Sequence, residues 1–318
     1  MFNLDHVFVA FAQGSGGNFV TAVMKKIVNG DLTHLPINKY GSYHILDSGK
    51  RENKDSIAFG TVAEENEHFS SIEEKEKYYI EQIKKEYTEP KRIITWTHDF
   101  TNLPSYKKHF PNCRILSITT YTPEEKLMSI LMQVNKVFLA DEKNIPISLD
   151  LWEWFKHRLS YHLGLQLKEI LGDDIDAEEI FKNRMSDEYN DLFFYISVRI
   201  LLVYANLIDL FKIIDEEPPN LKYLNFKKSK INYPKLINEN SDALLPFSHL
   251  PENNSNIFKK AYSDTLNRKL TSAEEIFLEE SLEDYYNRQD DFLIDDPIGY
   301  FKYRKKRAFS KINISRAK

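Results

Sequence analysis

Short apolar runs alternate with segments of helical periodicity along the first 140 or so residues of the chain. The runs at 5–12, 92–97 and 114–120 have the length and composition of buried strands. The first of them is followed by apolar side chains at helical spacing, including Phe19 and Ile27. Regular alternation of strand and helix predicts an α/β fold in which a central parallel sheet is flanked by helices.

Local signals predict several helices after these strands. The segment at 71–87 is acidic in its first turn and basic in its second half, as suits a helix dipole. A short helix is expected around 106–110. Thr122 is a candidate N-cap for a helix that opens with Pro123. From residue 149 onward the pattern turns mainly helical.

Composition and charge narrow the classes of function. The chain has 318 residues, of which 42% are hydrophobic and 29% charged, which is typical of a globular protein rather than a disordered or fibrous one. The formal net charge of -5 predicts no general attraction to nucleic acid or to an anionic membrane. Apolar segment 192–214 is interrupted by Arg199, Asn206 and Asp209, so a buried helix is expected rather than a membrane span. The single cysteine, Cys113, cannot form an internal disulfide, which favours a cytoplasmic location.

Glycine is scarce in this chain, yet three of its 10 glycines fall within four consecutive positions. Gly14, Gly16 and Gly17 lie in AQGSGGNF, between the first predicted strand and the first predicted helix. Backbone N–H groups at such a turn, together with the helix dipole, favour a phosphate or sulfate group. The alternative is a glycine-rich turn without a ligand. Asn18 and Phe19 stand where a Walker A loop needs its lysine and hydroxyl residue, so ATP or GTP hydrolysis is not expected.

Two further side chains are candidates for chemistry beside this turn. His98 comes directly after the second predicted strand, whose end faces the same sheet edge as the glycines. Its imidazole can accept a proton from a hydroxyl group at neutral pH, and the alternative is a structural histidine. Ser129, on the helix opened by Pro123, can donate to a phosphate oxygen, and the alternative is a hydroxyl bonded to its own backbone.

In order and spacing, these segments resemble the sulfotransferases that use 3'-phosphoadenylyl sulfate. QGSGGNF is similar to the family's strand–loop–helix motif of the type PKSGTTW, and WTHDF is similar to its KTHLP motif. YTPEEKLMS is similar to its 3'-phosphate motif of the type RNPxDxxxS, and LPFSHLPENNSNIFKKAY faintly resembles a later strand and helix. The residues in register are Ser15, Gly16, Phe19, Thr97, His98, Pro123, Glu125 and Ser129.

The resemblance implies a P-loop type, sulfotransferase-like α/β fold and a role for each matched residue. The donor's 5'-phosphosulfate would be held by Gln13, Gly14, Ser15, Gly16, Gly17, Asn18 and Phe19. Tyr121 and Ser129 would contact the 3'-phosphate, and His98 would deprotonate the acceptor. The implied reaction moves a sulfuryl group from 3'-phosphoadenylyl sulfate to a hydroxyl or amine of a small molecule, glycan or other acceptor. It leaves adenosine 3',5'-bisphosphate, with no metal and no nucleic-acid partner.

At three positions this chain lacks a cationic residue that the family carries. Gly14 stands at the loop lysine, Tyr121 at the arginine of the 3'-phosphate motif, and Trp96 at the lysine before the histidine. Lys126 and the basic tail at 304–307 are candidates to replace them. Two other functions stay open, namely a nucleotide-dependent phosphotransferase that uses the same loop, and a binding protein of the same fold without catalysis.

One sulfotransferase-like domain is expected to span 1–318. Its predicted parts are a nucleotide-binding core at 5–136, a helical region at 149–214, a surface insertion at 215–243, a strand at 244–250, two helices within 255–288 and a basic tail at 300–318.

Overall fold

The chain has a mixed α/β architecture in the computed structural model. The structure describes residues 6–11, 15–35, 58–59, 74, 77, 81, 93–97, 100, 103–119, 122–143, 162–172, 176–204, 207–219, 232–247, 254–289 and 293–316. These residues fall into two compact units. The described part of the first unit comes from 1–38, 43–121 and 227–290, and that of the second from 122–226 and 291–318. The expectation of a single domain over 1–318 stays a prediction.

A parallel β-sheet forms the centre of the first unit. Its strands, in chain order, are β1 His6–Phe11, β2 Ala58–Phe59, β3 Ile93–Thr97, β4 Arg114–Ile118 and β5 Ala243–Leu245. Side by side they follow the order β2-β3-β1-β4-β5, and every neighbouring pair is parallel. The three longest strands, β3, β1 and β4, are central, and β2 and β5 are short edge strands. This confirms the predicted α/β class with a parallel sheet.

Helices make up most of the remaining described residues. In chain order they are α1 Gly17–Asn29, α2 Leu103–His109, α3 Pro123–Lys143, α4 over residues 162–171, α5 Ala177–Lys182, α6 Asn190–Tyr204, α7 Leu210–Ile213, α8 Tyr233–Asn240, α9 Asn254–Leu266, α10 Ser272–Gln289 and α11 Pro297–Arg316. The helices expected near 106–110, after Thr122 and within 255–288 are confirmed. Of the helix expected at 71–87, the structure describes Glu74, Lys77 and Glu81, and all three are helical.

Side chains of β1 point alternately to two apolar clusters, one on each face of the sheet. Val9 and Phe11 belong to a cluster formed with α1, α9 and α10. Phe8 and Ala10 belong to a cluster formed with α2 and α8. Hence α1, which follows β1, and α2, which follows β3, cover opposite faces, although β1 and β3 are adjacent. Adjacent strands with this property mark the switch point of an α/β sheet, where ligands bind beyond the carboxyl ends of the strands.

Part of the predicted surface insertion at 215–243 forms a helix that packs one side chain against the sheet. In α8, Ile237 is buried against the α2 face of the sheet. The Asn232 side chain accepts a hydrogen bond from the Lys235 N–H and so caps the helix, which carries Pro234 in its first turn. Just after α8, the carboxylate of Asp242 accepts from the Ile115 N–H at 2.7 Å. Residues 220–231 of the predicted insertion lie outside the described part.

In the second unit, α6 is buried along most of its length. Every described side chain from Asp191 to Val203 is buried. Buried Arg199 forms an ion pair with Glu216, and its Nε donates to the Gln166 side chain at 3.0 Å. Among the described residues, no helix is long and apolar enough to cross a membrane.

Local capping fixes the start of α3. The Thr122 hydroxyl accepts from the Glu125 N–H at 3.2 Å, and the Glu125 carboxylate accepts from the Thr122 N–H at 2.8 Å. This reciprocal pair is a capping box, so the predicted N-cap role of Thr122 is confirmed.

Candidate functional site

The candidate site lies at the carboxyl edge of the sheet, where β1 and β3 end side by side. In the parallel register Ala10 lies beside Thr97. The chain leaves β1 at Phe11 and enters α1 at Gly17, and His98 is the residue that follows Thr97. This is the switch point of the sheet, so the topology brings the start of α1 and the end of β3 to one edge. His98, Gln13, Gly14 and Tyr121 lie outside the described residues.

Gly16 forms the N-cap of α1 in a left-handed conformation. Its φ and ψ are 70° and 9°, a region that glycine adopts without the steric cost of a Cβ. Its carbonyl accepts the first helical hydrogen bond, from the Val20 N–H at 3.1 Å. The first turn of α1 carries no acidic side chain, so no carboxylate within that turn offsets the positive end of the helix dipole.

Aromatic packing also requires glycine at both positions. A Cβ on Gly16 would lie 2.0 Å from Cε1 of Phe247, and a Cβ on Gly17 would lie 2.0 Å from ring carbons of Phe11. Both rings are buried. The glycines at 16 and 17 are therefore explained by packing, with or without a ligand at the turn.

The predicted binding residues between 15 and 19 take different environments. The Phe19 ring is buried in the core, 4.4 Å from the Tyr285 ring, so it serves packing rather than a surface site. Ser15 is buried and Asn18 is half-buried. What remains for a ligand at this turn is mainly backbone, which is the kind of group that binds phosphate or sulfate at a helix start.

Ser129 lies in α3 of the second unit, whereas the glycine turn lies in the first unit. Its side chain is 5% exposed and its neighbours Leu127, Met128 and Ile130 are buried as well. In the described residues Ser129 is thus part of the packed side of α3.

The C-terminal cations that are candidates to replace the missing lysine and arginine form ion pairs within the second unit. Arg304 and Arg307 form ion pairs with the buried carboxylate of Asp191. Lys305 forms an ion pair with Glu216. The basic tail is the C-terminal part of helix α11, held by acids of its own unit. Lys126 lies half-buried in the first turn of α3.

Phe247 is the residue at this edge that the sequence alone did not single out. It follows β5 and is fully buried. Its ring occupies the space where a Cβ on Gly16 would lie. Its ring centroid is 5.5 Å from that of Tyr285. In the sequence, the only sign of this residue is a Pro-Phe dipeptide after an apolar run. That the Phe247 ring lies against Gly16 depends on the order of the strands.

A tyrosine fixes α1 against the helix that covers it. Tyr262 of α9 donates its hydroxyl hydrogen to the Val20 carbonyl at 2.8 Å. Full burial raises the pKa of this phenol well above its ordinary value, so it stays protonated. The hydrogen bond therefore holds the first turn of α1 at neutral pH.

A depression of about 410 Å³ lies at the opposite edge, beside the amino end of β4. Its lining residues are Arg114, Asp242, Ser263, Asp264, Asn267, Arg268 and Lys269. Arg114 donates to the carbonyls of Asp264 and Thr265 at the end of α9 and pairs with Asp242. Arg114 and Asp242 neutralise each other, and Arg114 also binds carbonyl groups at the end of α9. Both side chains therefore have a structural role.

Cys113 and potential metal ligands add no chemistry to the described residues. Cys113 is a buried free thiol, and burial raises its pKa to about 11, so it is protonated and unreactive at neutral pH. Nowhere in the described part of the chain do three histidine, cysteine or acidic side chains gather as metal ligands would.

Comparisons with protein-family models, with curated proteins and with solved structures found no match to this chain. The sulfotransferase resemblance therefore rests on the order and spacing of its motifs.

Proposed function

We propose that this chain is a cytoplasmic, P-loop type sulfotransferase-like protein that transfers a sulfuryl group from 3'-phosphoadenylyl sulfate to a hydroxyl or amine acceptor. The observation that supports it best is the placement of the glycine turn. Gly16 begins α1 at the carboxyl end of β1, and β1 and β3 form the switch point of the sheet. An anionic group of a nucleotide is the ligand that such an edge favours.

His98 is the proposed proton acceptor. It follows Thr97, which lies beside Ala10 in the register of β3 and β1, and so comes directly after the strand next to the glycine turn. In the proposed reaction the acceptor oxygen or nitrogen forms a bond to sulfur as the bond from sulfur to the bridging phosphate oxygen breaks. The imidazole takes the acceptor's proton, and adenosine 3',5'-bisphosphate leaves.

A second candidate is a binding protein of the same fold that performs no transfer. Two observations favour it. Packing against Phe247 and Phe11 accounts for Gly16 and Gly17, and Arg304 and Lys305 are engaged by Asp191 and Glu216. The two candidates share the nucleotide site and differ in the chemistry of His98.

Calorimetric titration with adenosine 3',5'-bisphosphate and with ADP tests the donor assignment. The proposal predicts roughly tenfold or greater preference for the 3'-phosphorylated nucleotide, about 1.4 kcal/mol of binding free energy. Equal affinities would rule out 3'-phosphoadenylyl sulfate as the donor. Tighter, magnesium-dependent binding of ATP would favour a phosphotransferase.

The variant His98→Ala separates catalysis from binding. Sulfuryl transfer should fall by about a hundredfold while nucleotide affinity stays within about twofold, because general-base catalysis acts on the acceptor. His34→Ala is the matched control, since His34 is exposed after α1. Nucleotide binding without transfer in the unaltered chain would leave the binding protein as the function.

A further inference from the structure

Helix α11 concentrates positive charge on a single element. Its twenty residues include seven lysines and arginines and no acidic residue. Within the described part of the chain, the carboxylates that form ion pairs with them are Asp191, Asp215 and Glu216. The surplus positive charge is therefore local, in a chain whose total charge is negative.

A buried carboxylate fixes part of this charge in place. Asp191 has a side chain only 2% exposed, and Arg304, Arg307 and Lys311 all pair with it, the last two at 3.0 and 2.8 Å. Asp187 also acts electrostatically on Arg307, so two negative charges face three cations and the cluster keeps a net positive charge. Cations held by such contacts lose little side-chain freedom when an anion binds, and this lowers the entropic cost of binding.

The outer side of the helix presents further cations and an aromatic ring. Lys302, Tyr303, Lys306, Arg307 and Ser310 are all exposed; together we call them the α11 outer face. At 3.6 residues per turn they span an arc of about 140° on one side of the helix. The guanidinium of Arg307 lies 5.6 Å from the centroid of the Tyr303 ring, and Tyr303 is 55% exposed.

We propose that the α11 outer face binds the backbone of single-stranded nucleic acid. Its cations line the helix over about 8 Å, from Lys302 to Arg307 at 1.5 Å per residue, which suits a row of phosphates rather than a single anion. Tyr303 offers a ring on which a base can stack beside the Arg307 guanidinium. The face carries no aliphatic side chain, so it lacks the apolar side with which an amphipathic helix enters a membrane.

Nearby acids set the limits of this surface. Asp215 pairs with Lys302 at 2.5 Å, and its own side chain is 73% exposed. Lys311 is turned inward, where it donates to the Asp187 carbonyl as well as to Asp191. Lys306 is thus the cation that we expect to contribute most, with Lys302 and Arg307 contributing less because a phosphate must compete with Asp215 and with Asp191.

Fluorescence anisotropy of the full chain with a labelled oligothymidine tests the proposal. Binding should weaken as salt rises, with a slope of about -2 in log–log form for roughly three phosphates neutralised on a single strand. The triple variant Lys302→Gln, Lys306→Gln, Arg307→Gln should bind roughly tenfold more weakly at low salt. The double variant Lys302→Gln, Lys306→Gln keeps Arg307 on Asp191 and should lose about fourfold.

The matched control removes three exposed lysines from the first unit, by Lys235→Gln, Lys260→Gln and Lys269→Gln. It changes the net charge of the chain by the same amount and should retain the affinity of the unaltered protein. Equal losses in the control and triple variants, or no oligonucleotide binding at low salt, would overturn the proposal. Binding to phosphatidylserine vesicles without binding to the oligonucleotide would overturn it as well and would assign the face to membranes.

Discussion

At the scale of single residues, glycine has two separable roles in this chain. Gly16 and Gly30 both adopt a left-handed conformation, with φ of 70° and 69°. They flank the same helix, α1, but only Gly16 has a neighbour where its Cβ would lie. The space beside Gly30 is open, whereas a Cβ on Gly16 meets Phe247.

We therefore expect Gly16→Ala to destabilise the protein more than Gly30→Ala. At Gly30 the cost is left-handed strain alone, about 1 kcal/mol. At Gly16 the clash with a buried ring adds to it, for roughly 3 kcal/mol in all. Denaturant unfolding measures both. Equal losses would show that the Phe247 ring moves aside freely and does not constrain the turn.

The sequence predicted the glycine turn but not the reason for each glycine. Local signals were enough for the turn, because an apolar run, clustered small residues and a helical pattern are adjacent in the chain. Phe247 follows the last strand, and its contact with Gly16 exists only because the sheet and its covering helices bring the two together. Similarly, Phe19 matched a family motif by position, while the fold uses its ring in the core.

At the scale of elements, α11 shows how a basic segment is held in a folded unit. The sequence indicated a basic tail, since its cations dominate the pattern. The helix nevertheless has a defined start, where the Asp296 carboxylate accepts from the Gly299 N–H at 2.8 Å. It also has a buried side, which includes Phe301 and Ala308, two turns apart. The buried acid that anchors it lies on α6, more than a hundred residues earlier.

Replacing the anchoring carboxylate should cost much more than replacing an exposed one. Asp191→Asn leaves Arg304, Arg307 and Lys311 without their buried counter-charge, so we expect a loss of about 3–5 kcal/mol. Asp215→Asn removes an exposed pair with Lys302 and should cost at most about 1 kcal/mol. Urea unfolding, followed by helical circular dichroism, gives both values. Similar small losses for the two variants would mean that Asp191 does not anchor α11.

At the scale of the whole molecule, the sequence predicted the fold class and one edge of the sheet. Alternating strands and helices were enough to predict a parallel sheet. They did not determine the order β2-β3-β1-β4-β5, because that order depends on which face each connection crosses. The order is what makes β1 and β3 neighbours. It thereby brings the start of α1 and the end of β3 together at the edge where the candidate site lies.

The proposed function requires that an anionic nucleotide binds at that edge. The most direct measurement is a crystal structure of the full chain grown with adenosine 3',5'-bisphosphate. We predict density for the 5'-phosphate at the start of α1, against the backbone of residues 15–18. Phosphate density only at the Arg114 depression or on the α11 outer face, or an empty edge under conditions that saturate binding in solution, would contradict the account.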